Sequence, residues 1–260
     1  MIAAALRTLA ACGLVSAYVL LAGPPILLWT WLTGRPDLLY RAAALGVRVG
    51  FALAGIRLRV IGADRIGPGP AVYACNHTSN VDSPAVFLGL RALFPHLAVL
   101  YKAELRRLPV LVWAFDLAGF VPIERANRDQ SWPAIDRAAQ ALKGGKSFFI
   151  FPEGTRSRTG ELLPFKKGGF VMAIQAQAPI VPVAVSGGER AMRKGSALIW
   201  PATVTLRVLD PVPTAGRTLE DRDAVIQSVR AQLETARREE HAAGSLDASG
   251  HMAGARPGSV

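Results

Sequence analysis

The sequence contains few of the residues on which metal-binding and disulfide-linked proteins depend. Only two of its 260 residues are cysteines, Cys12 and Cys75, and only four are histidines. Cys12 lies in an apolar segment and Cys75 in a pattern typical of a buried strand, so we expect no disulfide between them. Two cysteines are also too few for a structural zinc site. We therefore predict no metal and no cofactor.

Acidic residues are scarce relative to basic ones. The chain has 19 Asp and Glu against 30 Lys and Arg, which gives a formal net charge of +11. This balance favours an anionic partner, either nucleic acid or an anionic membrane face. Because we find no nucleic-acid-binding motif and the N-terminus is strongly apolar, we predict an anionic membrane surface as a partner and no nucleic acid.

The first 55 residues are predicted to form membrane-associated helices. Residues 8–33 carry no charge, and as one helix they would be about 39 Å long, enough to cross a hydrocarbon core of about 30 Å. Gly23-Pro24-Pro25 interrupts them, so a kinked single span and a re-entrant hairpin are both open. Only Arg7 precedes the segment, whereas several arginines follow it, so the positive-inside rule places the rest of the chain in the cytoplasm, at the inner membrane. These arginines are Arg35, Arg41, Arg48, Arg57 and Arg59.

A short strand, a polar turn and a helix start follow one another after residue 71. Val72–Cys75 has the pattern of a buried strand, and a helix is predicted from near Val81. His77 and Asp82 would lie roughly 140° apart on one helix, so they can meet only if His77 precedes the helix and Asp82 lies in its first turn. The carboxylate would then fix the imidazole tautomer and leave the other ring nitrogen free as a general base. The alternative is a capping cluster that only closes the turn.

Three further apolar segments also end in polar residues. They are Leu97–Tyr101, Gly119–Ile123 and Ser147–Phe151, and in α/β sheets ligands bind beyond such strand ends. Lys102 follows the first segment and Arg125 follows the second. The third leads into Pro152-Glu153-Gly154-Thr155-Arg156-Ser157, where Glu153 is expected to orient a basic side chain or a hydroxyl.

The basic residues among these suit anions. Arg125 and Arg156 offer the planar donor pairs that match phosphate oxygens, although Arg125 could instead pair with Glu124, and Lys102 with Glu104. Lys166 and Lys167 precede a predicted helix, where the helix dipole disfavours cations unless an anion binds. Their alternative role is solvated charge.

Two other strands carry positional information. Ile56–Ile61 and Thr203–Val208 alternate in polarity and are predicted to be edge strands. Ile180–Ser186 contains Pro182, which has no N–H group to donate, so this strand is predicted to lie at an edge or to be bulged there. The apolar helix predicted over Leu108–Ala118 suits either the core or an acyl-chain groove.

Four blocks of the sequence resemble those of the glycerolipid acyltransferases, and most closely those of the lysophosphatidate acyltransferase branch. They occur in the family's order within residues 56–212. The blocks are Asn76-His77 with Asp82, Gly119-Phe120-Val121-Pro122-Ile123-Glu124-Arg125, Phe151-Pro152-Glu153-Gly154-Thr155-Arg156-Ser157 and Ile180-Val181-Pro182-Val183. The resemblance implies an α/β fold like that of glycerophosphate acyltransferases, with a mixed, mostly parallel sheet flanked by helices.

The resemblance also implies roles for individual residues. His77 would be the general base, oriented by Asp82. Arg125, Arg156 and Lys102 would bind the phosphate of the acceptor. Supporting or oxyanion-stabilising roles fall to Asn76, Glu153, Gly154 and Thr155, and Lys166 and Lys167 are further candidates.

The implied reaction transfers a fatty acyl group from acyl-CoA or acyl-ACP to the 2-hydroxyl of lysophosphatidate, which yields phosphatidate. The acceptor could instead be glycerol 3-phosphate, another lysophospholipid or a lyso-aminolipid. A serine hydrolase using Ser79 or Ser83 is a weaker alternative because no Gly-x-Ser-x-Gly motif surrounds either. A non-catalytic lipid-binding protein would not need both His77 and Asp82.

The predicted organisation has four parts. Residues 1–55 form the membrane-associated helices and residues 56–215 the catalytic domain. Residues 216–241 form a C-terminal helix. Residues 242–260 are predicted to be a disordered tail, because Gly, Ser and Ala dominate there without periodicity.

Overall fold

The computed structural model describes residues 1–124 and 128–253, apart from the side chains of residues 128–131, 241 and 243–253. The strands are β1 (Ile56–Ile61), β2 (Val72–Cys75), β3 (Leu97–Lys102), β4 (Val121–Ile123), β5 (Ser147–Ile150), β6 (Ile180–Ser186) and β7 (Ala202–Val208). The helices are α1 (Ile2–Thr33), α2 (Asp37–Ala54), α3 (Asp82–Gly89), α4 (Pro109–Ala118), α5 (Arg128–Lys143), α6 (Gly168–Ala176), α7 (Gly188–Ala191) and α8 (Arg222–Ala253).

The seven strands form one sheet in the order β1-β7-β6-β2-β5-β3-β4. Its neighbouring pairs are parallel except β6–β7, which is antiparallel. The central strands β2 and β5 are buried along their whole length, as expected for parallel strands covered on both faces. This confirms the predicted α/β class with a mixed, mostly parallel sheet.

Side chains on the two faces of the sheet enter two separate hydrophobic clusters. On β5, Phe148 and Ile150 join the cluster that α5, α6 and α8 cover. Phe149 points to the opposite face and packs in the cluster covered by α2 and α3. The carboxyl ends of β2, β3 and β5 therefore open between two layers of helices.

Strand β6 is an interior strand, and Pro182 is accommodated by an irregularity in its neighbour. The Leu209 N–H donates to the Pro182 carbonyl at 2.9 Å, and Ile180 pairs with Val212. Between these two contacts β6 contributes one residue and the opposing segment contributes two, which is the count of a β-bulge. Strand β6 is therefore not at an edge, and the bulge lies in the segment opposite Pro182 rather than in β6 itself.

The prediction for Thr203–Val208 was wrong in part. This strand, β7, lies between β1 and β6 and is not an edge, whereas β1 does lie at the edge. The polarity of β7 alternates because one face of the strand is buried, while the other carries Arg207, which pairs with Glu239 of α8 at 3.1 Å. A half-buried interior strand has the same alternation as an edge strand.

The N-terminal segment is one continuous helix that includes Pro24 and Pro25, so a hairpin turning at Gly23 does not form. The chain reverses instead at Gly34, which has a φ of 64°. Helix α1 is long and apolar enough to cross a membrane, and little of its most apolar window is buried. Helix α2 shares the hydrophobic cluster of the sheet through Tyr40, Phe51 and Ala54.

The C-terminal helix extends further than the sequence pattern indicates. We expected it to end near residue 241, but α8 continues to Ala253. Alanine is the strongest helix former, and alanines at 242, 243, 248 and 253 favour this extension. Residues 254–260 of the predicted tail lie outside the described residues.

Candidate active site

His77 and Asp82 meet in the arrangement that their spacing requires. His77 lies in the turn after β2, and Asp82 is the first residue of α3. The His77 Nδ1 atom lies 3.0 Å from Asp82 Oδ2. The Asp82 side chain is completely buried, whereas 14% of the His77 side chain is exposed. A donating Nδ1–H leaves Nε2 unprotonated, so this imidazole can accept a proton.

The backbone fixes the carboxylate of Asp82. The N–H groups of Thr78 and Ser79 each donate to Oδ2 at 2.7 Å. The other oxygen, Oδ1, has no hydrogen-bond partner among the described residues. It faces Gly188, where an added Cβ would lie only 2.0 Å away. Gly188 therefore leaves the space that the carboxylate occupies.

The segment after β5 holds the backbone of His77 from both sides. The His77 N–H donates to Glu153 Oε1 at 2.8 Å, and the His77 carbonyl accepts from the Ser157 N–H at 2.7 Å. The imidazole stacks on the ring of Phe151 with centroids 4.0 Å apart. The family-like blocks around residues 77 and 153 are thus one structural unit.

Glu153 acts on backbone groups, contrary to our expectation that it orients a basic side chain or a hydroxyl. Its second oxygen accepts from the Leu163 N–H at 2.9 Å. Burial raises the pKa of Glu153, and the hydrogen bonds from Leu163 and His77 oppose that shift. Glu153 differs from this expectation because its carboxylate points into the protein. There it links its own segment to the turn at His77 and to the segment at Leu163.

Asn76 likewise supports the turn. Its Oδ1 accepts from the Val185 N–H at 2.7 Å, and its Nδ2 donates to the Val185 carbonyl at 2.8 Å. The side chain thereby continues the pairing of β2 with β6 beyond Cys75. Both hydrogen bonds place Asn76 in a supporting position.

The predicted cationic residues lie in different surroundings. Lys102 pairs with Glu104 at 2.9 Å, which was the alternative considered for it. Arg156 is partly buried, and its guanidinium forms no ion pair with the residues that the structure describes. Arg125 lies outside the described residues. Thr155 is exposed, while Gly154 has a φ of 70° and contacts the side chain of Lys166.

An apolar cavity of about 630 Å³ opens beside His77. Helices α1, α2, α3 and α4 line it together with the ends of β3 and β5. Residues of α4 such as Leu111, Ala114 and Phe115 are among the lining residues, so this helix borders a groove as well as the core. Lys102 and His77 are polar groups at the cavity.

A second cavity of about 480 Å³ lies on the opposite face of the sheet. Its lining includes Gly154, Lys166, Lys167 and Arg222. Both cavities are lined by Leu100 and Phe151, so they adjoin at the carboxyl ends of β3 and β5.

Sequence reasoning missed two supporting residues. Ser157 was quoted only as part of a block, yet its N–H holds the His77 carbonyl. Gly188 was not considered, although a Gly-Gly pair directly after a predicted strand is a signal of close backbone approach. The contact between Gly188 and Asp82 joins residues 106 positions apart, so no local pattern shows it.

The fold and this site define an α/β protein in which a histidine, paired with a buried carboxylate, opens onto an apolar cavity. The sequence model of the family described as Acyltransferase matches residues 57–186, which is half of the chain. The chain belongs to this acyltransferase family.

Relatives of known structure or curated description agree with that assignment. The crystal structure of the 1-acyl-sn-glycerophosphate acyltransferase PlsC from Thermotoga maritima is similar with a TM-score of 0.74 and 25% identity, over 90% of this chain and 97% of that one. The human 1-acyl-sn-glycerol-3-phosphate acyltransferase alpha is 36% identical over 72% of this chain and 66% of the relative. A coconut 1-acyl-sn-glycerol-3-phosphate acyltransferase is 39% identical over 55% of this chain and 46% of the relative. The chain thus spans about half to two thirds of these curated relatives.

Proposed function

We propose that this protein transfers a fatty acyl group from an acyl-CoA or acyl-ACP thioester to the 2-hydroxyl of lysophosphatidate, which yields phosphatidate. The observation that carries the proposal is the His77–Asp82 pair at 3.0 Å beside an apolar cavity. The names of the relatives support the acceptor.

In the proposed reaction, His77 Nε2 accepts the proton of the acceptor hydroxyl as its oxygen attacks the thioester carbonyl. Asp82 stabilises the imidazolium that forms, because Nδ1–H already donates to its carboxylate. When the tetrahedral intermediate collapses, the carbon–sulfur bond breaks and the thiolate takes the proton from His77. The acyl group never bonds to the protein.

The apolar cavity is the proposed site of the acyl chain. Its walls come from four helices, and His77 lies at its border. Withdrawing a chain from a bilayer into water costs about 0.8 kcal/mol per CH₂, so a cavity next to the membrane avoids that cost.

Helix α1 is proposed to lie along one membrane leaflet. Thr8 near its start accepts a hydrogen bond from the Ile199 N–H at 2.9 Å, and Leu27 near its end is buried. A helix that crossed the bilayer could contact the rest of the protein at one end only, whereas α1 is held at both. The exposed apolar side chains between these contacts, which include Leu14, Leu20 and Leu21, would enter the lipid.

Of the two serines considered for a hydrolase, Ser79 is not favoured as a nucleophile. Ser79 is buried, and its hydroxyl donates to the Met192 carbonyl at 2.7 Å. That hydroxyl is therefore not directed at His77 Nε2.

The proposal is tested by assaying the purified protein in detergent with one acyl-CoA and one acyl-ACP against a panel of acceptors. We expect turnover with lysophosphatidate. The panel includes glycerol 3-phosphate, a lyso-aminolipid and other lysophospholipids, and a clear preference for one of these would replace lysophosphatidate as the acceptor. Release of free fatty acid without transfer would contradict the proposal as a whole.

A further inference from the structure

The turn that carries His77 (residues 77–82) is held between two segments that follow neighbouring strands. It comes directly after β2, which lies between β5 and β6 in the sheet. On the β5 side, the Ser157 N–H donates to the His77 carbonyl at 2.7 Å. On the β6 side, the Met192 carbonyl accepts from the Ser79 hydroxyl at 2.7 Å. The position of the turn therefore depends on both flanking segments.

A lysine joins these two flanking segments to each other. The Lys194 ammonium donates to the carbonyl of Arg156 at 2.6 Å, which is as short as charge-assisted hydrogen bonds become. Because Arg156 directly precedes Ser157, the contact closes a ring of hydrogen bonds around the turn. Lys194 is partly buried. It lies beyond residues 57–186, which the family model matches, so the resemblance assigns it no role.

The contact acts on a residue whose direction matters for chemistry. The resemblance implies that Arg156 binds the acceptor phosphate, and a guanidinium does so through a planar pair of donors that must face the phosphate oxygens. Its neighbours Thr155, Arg158 and Thr159 are exposed. Exposed loop positions have few packing contacts to hold them, so the loop relies on hydrogen bonds such as the one from Lys194.

We propose that Lys194 is a positioning residue for acyl transfer: by holding the Arg156 carbonyl, it directs the Arg156 guanidinium towards the acceptor phosphate. The inference rests on the proposed function and deepens it, because it names a determinant of affinity for the acceptor. Without the contact, the loop populates the binding-competent arrangement less often. The apparent affinity for the acceptor then falls by the same fraction.

The first test is steady-state kinetics of Lys194→Met, which removes the donor and keeps most of the aliphatic stem. Loss of the charge-assisted hydrogen bond should raise the acceptor KM about tenfold. The thioester KM and kcat should stay within about twofold, because His77 and Asp82 keep their own hydrogen bonds. Lys194→Arg retains a charged donor and should restore most of the affinity. An unchanged acceptor KM in Lys194→Met, or a rise confined to the thioester KM, would overturn the proposal.

A double-mutant cycle shows whether Lys194 acts through Arg156. In an Arg156→Ala background, Lys194→Met should change the acceptor KM by less than about twofold, because the guanidinium that it directs is gone. A rise of about tenfold in both backgrounds would show that the lysine acts independently and would overturn the proposal. Arg193→Met is the matched control, since it removes an exposed positive charge from the adjacent residue. An equal rise in Arg193→Met would attribute the effect to net charge and would also overturn the proposal.

Hydrogen exchange tests the contact without relying on catalysis. In Lys194→Met, the Ser157 amide should exchange about tenfold faster than in wild type, because its loop opens more often. The Val171 amide, which donates to the Lys167 carbonyl in α6, should keep its rate. Unchanged exchange at Ser157, or equal acceleration of both amides, would overturn the positioning role. This result stands even if the protein does not acylate lysophosphatidate, which would refute the proposed function alone.

Discussion

Replacing Gly188 with alanine should impair catalysis without unfolding the protein. An alanine Cβ would lie 2.0 Å from Asp82 Oδ1, whereas real Cβ atoms essentially never approach closer than 3.0 Å. The Asp82 carboxylate must therefore move by about 1 Å. The backbone of Gly188 is less free to shift, because Gly188 is the first residue of α7 and the surrounding interior is close-packed. The backbone conformation at 188 lies outside the left-handed region, so alanine itself causes no strain there.

A movement of about 1 Å is large on the scale of the hydrogen bonds to Asp82. These bonds measure 2.7, 2.7 and 3.0 Å, and a further 1 Å takes them beyond hydrogen-bonding distance. Misplacement of about 1 Å can cost about 10²-fold in rate. We expect kcat to fall by about that factor while both KM values stay within about threefold, because no substrate contact changes.

The assay is acyl transfer at saturating substrates, with thermal unfolding measured on the same samples. Gly69→Ala is the matched control, because a Cβ there meets nothing within 4 Å and Gly69 has no positive φ. If Gly188→Ala kept kcat within twofold of wild type, the inferred dependence of His77 on the position of Asp82 would be refuted.

Three further outcomes are expected. Glu153→Gln places an amide N–H against the N–H of His77 or Leu163 and should lower the free energy of unfolding by about 1–3 kcal/mol. The raised pKa of Glu153 makes wild type lose stability as the pH rises above the ordinary glutamate pKa. The difference in unfolding free energy between wild type and variant, measured by chemical denaturation, should therefore narrow at higher pH, and a widening would contradict this. Arg156→Ala should raise the KM for a phosphorylated acceptor about tenfold, and a rise confined to the thioester KM would show that the guanidinium serves the donor. Cysteines introduced at Leu6 and Leu32, near the two ends of α1, should react with a membrane-impermeant maleimide from the same side of sealed vesicles, and reaction from opposite sides would show that α1 crosses the bilayer.

The sequence predicts the fold well where patterns are local. The apolar runs Val72–Cys75 and Phe148–Ile150 both lie in central parallel strands that are buried on both faces. The five-residue spacing of His77 and Asp82 allows a single geometry for contact, and the structure has it. The same local logic fails for β7, since burial of only one face of this interior strand produces the alternation that also marks an edge.

The residues that sequence reasoning placed less well act through distant backbone groups. Glu153 was expected to orient a basic side chain or a hydroxyl, but its partners are the N–H groups of His77 and Leu163. Asn76 reaches Val185, which lies 109 residues away. Such partners depend on strand order, and strand order depends on packing of the whole chain rather than on any one segment.

The most direct test of the proposed mechanism is the transfer rate of His77→Ala at saturating lysophosphatidate and acyl-CoA. General base catalysis contributes about 10²–10⁴-fold, so the rate should fall by at least the lower factor while acceptor binding, measured by titration, and the unfolding temperature stay close to wild type. A variant that kept more than a tenth of the wild-type rate would contradict the assignment of His77 as the base.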